Sequence, residues 1–505
     1  MTLDTAQWRS RANHALSPAT VTASLWLIAL ILVQFAPLSS DSWWQMWIAR
    51  QMNAGIPLYE WINETNPPLW FWMARPVAYL SAFTGLPQPN LMVTGIMLQI
   101  ALSLSLCWIF LRHLTPSRQT LILAGLLFCM IGPHYIEFGQ RDHMALIALP
   151  PYVLLIAWRA EGKAVSLALA LAIGSFAALM IALKPHIALD PIALELWLIY
   201  KRRSFKPFRP ECLCLAIGAV VYIASIAIFA PAYFTDIIPA VTAAYGEFGG
   251  HKIRVFLSRA ALMLPIVALY FWSFRGSIPP TAQAFLAMGV GFTGSMLVQF
   301  KGFLYHGDPV ASAMLMAVLF NIVLREGPIT LRKRTLLVAM VGFALSPFVQ
   351  NERPYQQYAA PLVSDLAPGT KVATVLIDPT QTWPLLERNG LINVSRYYHH
   401  WMLVKINSTL RSGEDLSPKL QAIADDIRSD LANDLLCNPP DVLLVTPGAL
   451  GGQWPVVDFL KQDPRLEPVI SAYIEGPTLQ HLARYDRVAP LPAPTPDLEC
   501  YAVAR

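Results

Sequence analysis

The sequence predicts a polytopic α-helical membrane protein, with about eleven transmembrane helices, followed by a C-terminal extracytoplasmic α/β domain. Three observations predict it. The chain of 505 residues is 55% hydrophobic and only 14% charged, against about 25% charged in soluble globular chains. Its mean hydropathy is +0.46. Charge is also unevenly divided: residues 1–350 hold 24 Lys+Arg and 14 Asp+Glu, whereas residues 351–505 hold 13 and 18. Residues 1–350 read as a membrane domain with functional outer loops, and residues 351–505 as a soluble α/β domain. The 15 Trp, 23 Phe and 17 Tyr require burial and exclude wholesale disorder. The excess basic charge lies in short loops, so topology rather than nucleic-acid binding explains the pI near 8.8.

A span needs about 20 mostly apolar residues. Eleven segments approach this: 20–40, 89–111, 118–135, 143–158, 164–183, 187–200, 212–231, 255–274, 281–299, 309–324 and 335–350. The first reads as a retained span, because no small-residue cleavage site follows its long apolar run before Asp41. Of the two alternating sets of loops, one, with Arg118 counted at a boundary, holds 16 basic and 4 acidic residues, led by Lys201-Arg202-Arg203 and Arg332-Lys333-Arg334; the other, with Arg259 counted likewise, holds 8 of each before residue 350. The positive-inside rule makes the first set cytoplasmic. The N-terminus is then cytoplasmic and the tail periplasmic.

In the tail, 371–378 and 441–446 read as buried strands, 380–389 as a short helix, and 467–474, 479–486 and 501–504 as later strands. Residues 417–436 place Leu420, Ile423, Ile427, Leu431 and Leu435 on one helical face. Cys437 and Cys500 both fall in this part, where an oxidising compartment would let them pair. No Cys/His zinc spacing occurs.

The outer loops collect the chemistry. They carry Asp41; Tyr59, Glu64 and Asn66-Pro67-Pro68; Glu137 and Gln140-Arg141-Asp142-His143; Lys184-Pro185-His186; Glu247 and His251; and Lys301 with Tyr305-His306. Ionisable groups at a membrane boundary are costly unless paired or hydrated. Their concentration on one side points to a shared polar cavity. Interfacial anchoring is the competing explanation, and it suits most of Trp43, Trp44, Trp61, Trp70 and Trp72, which are expected to face lipid. A transporter or flippase would show internal repeats and mid-membrane polar groups; only Asp190 and Glu195 are candidates for intramembrane charge.

The arrangement resembles the GT-C superfamily of membrane glycosyltransferases. The resemblance rests on Asp41 after the first span, on Gly55-Ile-Pro57-Leu-Tyr59 and Asn66-Pro67-Pro68-Leu69 in a long first outer loop, and on Gln140-Arg141-Asp142-His143 and Lys301-Gly302-Phe303-Leu304-Tyr305-His306. Asn66 stands where aminoarabinose-transferring members carry Lys, and Ser42 follows Asp41 where protein O-mannosyltransferases carry a second acid. The resemblance implies a bacterial inner-membrane enzyme that takes a sugar from a polyprenyl-phosphate donor. The acceptor would be a periplasmic glycan, lipid or protein, and no metal or cofactor is expected. A lipid-linked glycan ligase is the nearest enzymatic alternative.

Such chemistry needs a base for the acceptor hydroxyl and cations for the leaving phosphate. Asp41 is the candidate base; the alternative is a helix cap for the run beginning near Trp43. Arg141, Lys301 and Lys184, with His306 and His143, are the candidate phosphate ligands. Glu64, Tyr59, Asp142, Gln140, Glu247, His251, His186 and Tyr305 are candidate substrate contacts. Glu247 and His251 lie in a Gly-flanked stretch that reads either as a closing loop or as a linker.

Overall fold

The computed structural model describes residues 17–245, 253–256, 258–273, 278–325, 331–349, 359–447, 455–479, 482–494, 498 and 500–503. In chain order the main helices before residue 350 are α1 (Pro18–Val33), α2 (Ser40–Asn53), α3 (Leu69–Thr84), α4 (Gln88–Leu111), α5 (Pro116–Ile131), α6 (Arg141–Ala160) and α7 (Leu167–Ile181). They continue as α8 (Leu189–Arg202), α9 (Pro210–Phe229), α10 (Ile238–Ala244), α11 (Arg259–Trp272), α12 (Pro280–Gln299), α13 (Leu304–Leu324) and α14 (Leu331–Val349). Each of the eleven predicted apolar segments overlaps one of these helices. Among the described residues, five helical stretches are long and apolar enough to cross a membrane: Gln88–Leu111, Arg141–Ala160, Pro210–Phe229, Pro280–Gln299 and Tyr305–Leu324. The apolar helices Pro18–Val33, Leu167–Ile181 and Ala260–Trp272 are shorter.

The chain divides into two compact units. One comprises residues 1–37, 93–219 and 251–349, and its described residues form helices and their connecting turns. Helix α6 is its buried centre, with Arg141 through Ala157 enclosed. Helix α8 packs closely on α12: a Cβ at Gly291 would fall 2.4 Å from the Asp190 Cα, so only glycine permits this approach. One charge network links the C-terminal end of α6, the middle of α8 and the start of α9. Arg159 and Arg209 donate to Glu211 at 3.2 and 3.0 Å, and Arg209 also pairs with Glu195. The Glu195 charge is thus neutralised, which distinguishes it from the unpaired mid-membrane acids of transporters.

The second unit comprises residues 38–92, 220–250 and 350–505. The tail supplies a five-stranded sheet in the order β2-β1-β3-β5-β4, with β1 at Lys371–Val375, β2 at Ile392–Asn393, β3 at Val442–Val445, β4 at Tyr473–Leu479 and β5 at Leu482–Arg487. The first three strands are parallel, as βαβ crossovers require, and β4–β5 is an antiparallel hairpin beside β3. Helices α15 (Met402–Arg411) and α16 (Pro418–Cys437) cover the sheet. Ser417 caps α16, and the predicted stripe Leu420, Ile423, Ile427, Leu431 and Leu435 is buried. Cys437 and Cys500 form a disulfide. The predicted strand at 467–474 is instead a helical turn at Leu466–Ile470 followed by β4; burial of Leu466, Val469 and Ile470 at helical spacing explains the difference. No strand forms over the described residues 501–503.

Candidate functional site

Asp41 lies in the first turn of α2, not at the end of the preceding span, because α1 stops at Val33. The capping role falls to Ser39, whose Oγ accepts from the Ser42 amide at 3.2 Å. Asp41 is therefore left to the positive end of the helix, which favours a carboxylate. Its Oδ1 accepts a 2.9 Å hydrogen bond from the Tyr398 hydroxyl. That tyrosine is buried and stacks on Trp44 at 5.2 Å and 15°. Trp44 stacks in turn on Trp47 at 4.5 Å, with Trp383 edge-on at 5.5 Å. Burial first, and then the Asp41 charge, hold the Tyr398 phenol well above the usual tyrosine range, so it remains a donor.

The first loop of this unit is organised around Glu64. Its carboxylate accepts from Trp44 Nε1 at 2.7 Å, from the Asn66 amide at 2.8 Å and from Asn66 Nδ2 at 2.6 Å. Tyr59 holds φ +73° in the tight turn between Leu58 and Ile62, and its hydroxyl donates to the Asn66 carbonyl. The tail braces the same loop. The Asn63 amide donates to the Arg396 carbonyl at 3.0 Å, while the Arg396 guanidinium lies over Trp61 at 5.2 Å and is held by Asp434 and Asp430. Trp44, Trp61 and Trp70 are 1, 5 and 1% exposed. They pack inside the protein and do not face lipid; tail residues cover the rings of Trp44 and Trp61.

The cationic candidates occupy the other unit. Arg141, Asp142 and His143 form the first turn of α6, with Gln140 at its cap position. Lys184 makes a buried ion pair with Asp142, and its Nζ lies 4.7 Å from the Tyr305 ring centre. His186 bonds Gln299 at 2.7 Å. Phe300 and Gly302 turn through positive φ, at 48° and 70°, and present Lys301 between α12 and α13. His306 is buried, with neither ring nitrogen hydrogen-bonded, and Lys184, His186, Arg141 and Lys301 are all near enough to act on it electrostatically. Burial, then the Lys184 charge, lowers His186 to about 4 and Lys301 to about 7. His143 differs from these. Its Nδ1 accepts from the Gly139 amide at 3.1 Å and its Nε2 bonds the Met130 carbonyl, so the ring shapes the turn that leads into Arg141. Glu247 and His251 lie outside the described residues.

No protein-family model matches the sequence, and no curated protein matches it by sequence. Among solved structures the chain is similar to ArnT from Cupriavidus metallidurans bound to undecaprenyl phosphate. That similarity covers 94% of this chain and 99% of that one, at 13% identity and a TM-score of 0.53. The fold is GT-C. The mycobacterial arabinofuranosyltransferase AftD matches at 11% identity and TM-score 0.42, over 94% of this chain and 40% of its own. The archaeal oligosaccharyltransferase AglB from Archaeoglobus fulgidus, in complex with an inhibitory peptide and a dolichol-phosphate, matches at 10% and 0.38, over 92% and 74%.

The sequence reading names the first loop and the cationic turns but does not name Arg396 or Tyr398, which the structure brings to that loop. The available signal was the run Arg396-Tyr397-Tyr398-His399-His400, which is unusually aromatic and polar for the middle of a small α/β domain.

Proposed function

We propose that this protein is an integral membrane glycosyltransferase that moves a sugar from a polyprenyl-phosphate donor to a periplasmic glycan, lipid or protein. The observation that carries the reading is the end-to-end fold similarity to ArnT, whose structure holds undecaprenyl phosphate. The chemistry of the side chains supports it. Asp41 takes the proton from the acceptor hydroxyl as that oxygen attacks the anomeric carbon. The bond from that carbon to the carrier phosphate breaks, and the phosphate leaves with the electron pair. A single displacement of this kind inverts the anomeric configuration. Arg141, Lys301 and Lys184, with His306 and His186, receive the leaving phosphate; arginine and lysine are the residues suited to that task. Tyr305, Gln140 and Asp142 support these cations, and Glu64 and Tyr59 shape the acid-bearing loop. Glu247 and His251 complete the proposed substrate contacts. The loop charges, read by the positive-inside rule, support a cytoplasmic N-terminus and a periplasmic tail in a bacterial inner membrane.

The test uses purified full-length protein in lipid nanodiscs with radiolabelled undecaprenyl-phosphate sugars and a cell-envelope extract as acceptor. Transfer of label by wild type, abolished in Asp41→Asn, supports the reading. Absence of transfer from every polyprenyl-monophosphate sugar, with transfer from a diphosphate-linked glycan instead, would replace it by a ligase.

A further inference from the structure

We infer that Tyr398, supplied by the C-terminal part of the chain, is a positioning residue for the Asp41 carboxylate. The inference rests on the proposed role of Asp41 as base. The two residues are 357 positions apart, yet the phenol donates to Asp41 Oδ1 at 2.9 Å. The tyrosine has little freedom to do anything else. Its ring stacks on Trp44, it is buried, and its backbone neighbours are fixed, since the Arg396 carbonyl accepts from Asn63 and the Arg396 amide donates to Asp434 at 3.0 Å. Trp44 is itself tied to Glu64 through its ring nitrogen. The aromatic stack thus links the start of α2, the first loop and the tail segment into one rigid support. A base acts efficiently only when its lone pair is oriented before the acceptor arrives. A hydroxyl donating to one carboxylate oxygen fixes the plane of that carboxylate. Tyr398 touches neither donor nor acceptor in this scheme and transfers no proton.

Tyr398→Phe removes one oxygen and keeps the ring stacked on Trp44. The expected result is a fall in kcat of roughly 10- to 100-fold, as for loss of a hydrogen bond to a charged group, with KM for donor and acceptor unchanged. In an Asp41→Asn background the same substitution leaves the residual rate unaltered, because the two groups act as a unit. Full kcat in Tyr398→Phe, with Asp41→Asn inactive, overturns the inference and leaves the base intact. An active Asp41→Asn overturns the base assignment itself. An equal loss in both backgrounds, or a rise in KM, shows a packing role and also overturns the inference. Should the phenylalanine variant not fold, fluorotyrosine at position 398 varies the acidity of the donor within the native shape. A rate that tracks that acidity upholds the inference, and a rate indifferent to it refutes it.

Discussion

The acid-bearing loop and the cationic turns solve opposite problems. Around Asp41, order comes from residues far apart in the chain: Tyr398, Arg396 and Trp383 reach the loop from the tail, and the interactions are hydrogen bonds and stacked rings. Around Lys184 and Lys301, order comes from short turns at helix ends, where Gly302 and Phe300 reverse the chain and the first turn of α6 offers Arg141 and Asp142. The first region sets an acid beside a stack of aromatic rings. The second crowds cations and holds one of them, Lys184, against a buried aspartate. A base needs a fixed direction, whereas a site for an anion needs positive charge that water does not screen. The contrast suggests that geometry limits the first region and electrostatics the second.

The sharpest way to break this comparison is Asp41→Asn, which should lower kcat by roughly 10²- to 10⁴-fold while donor binding persists, as read by turnover and by equilibrium binding of the lipid donor. If binding falls with turnover, the two regions are not divided by role. Next is Asp142→Ala, which leaves buried Lys184 without its carboxylate and should cost roughly 3–5 kcal/mol in unfolding free energy. Thermal or denaturant unfolding in detergent checks it. An unchanged midpoint would show that the cations need no internal counter-charge.

The third test is pH. Burial brings Lys301 down to about 7, so it carries its charge below that pH and loses it above. Donor affinity should therefore fall by about tenfold, the worth of one charge-assisted contact, as pH rises from 6 to 8.5. Lys301→Arg, charged throughout, should flatten the profile in a binding titration. The linked stability runs the other way: stability rises as pH passes 7, because the unfolded chain keeps its proton up to the ordinary lysine value. The smallest effect is expected for Arg50→Ala. The Arg50–Glu387 pair also joins α2 to the tail but is partly exposed, so its loss should cost under about 1 kcal/mol, measured by unfolding. A larger loss would move the brace from the aromatic stack to the charges.

The same contrast explains what could be read from the sequence. Periodicity and apolar length made α4 through α9 and the α16 stripe legible, and loop residues such as Lys301-Gly302 announce a turn locally. The partner of Asp41 could not be read, because a hydrogen bond between residues 41 and 398 has no local signature. For the same reason Trp44 reads as a lipid anchor: a tryptophan near a span has two destinations, and here the folded tail decides between them.

The bond between Asp41 and Tyr398 also acts as a parity rule. Its two ends must emerge on the same side of the bilayer, so the polypeptide between them must cross it an even number of times. Ten of the expected crossings lie in that interval, and a topology map returning an odd number would be irreconcilable with the aromatic stack that joins the two ends.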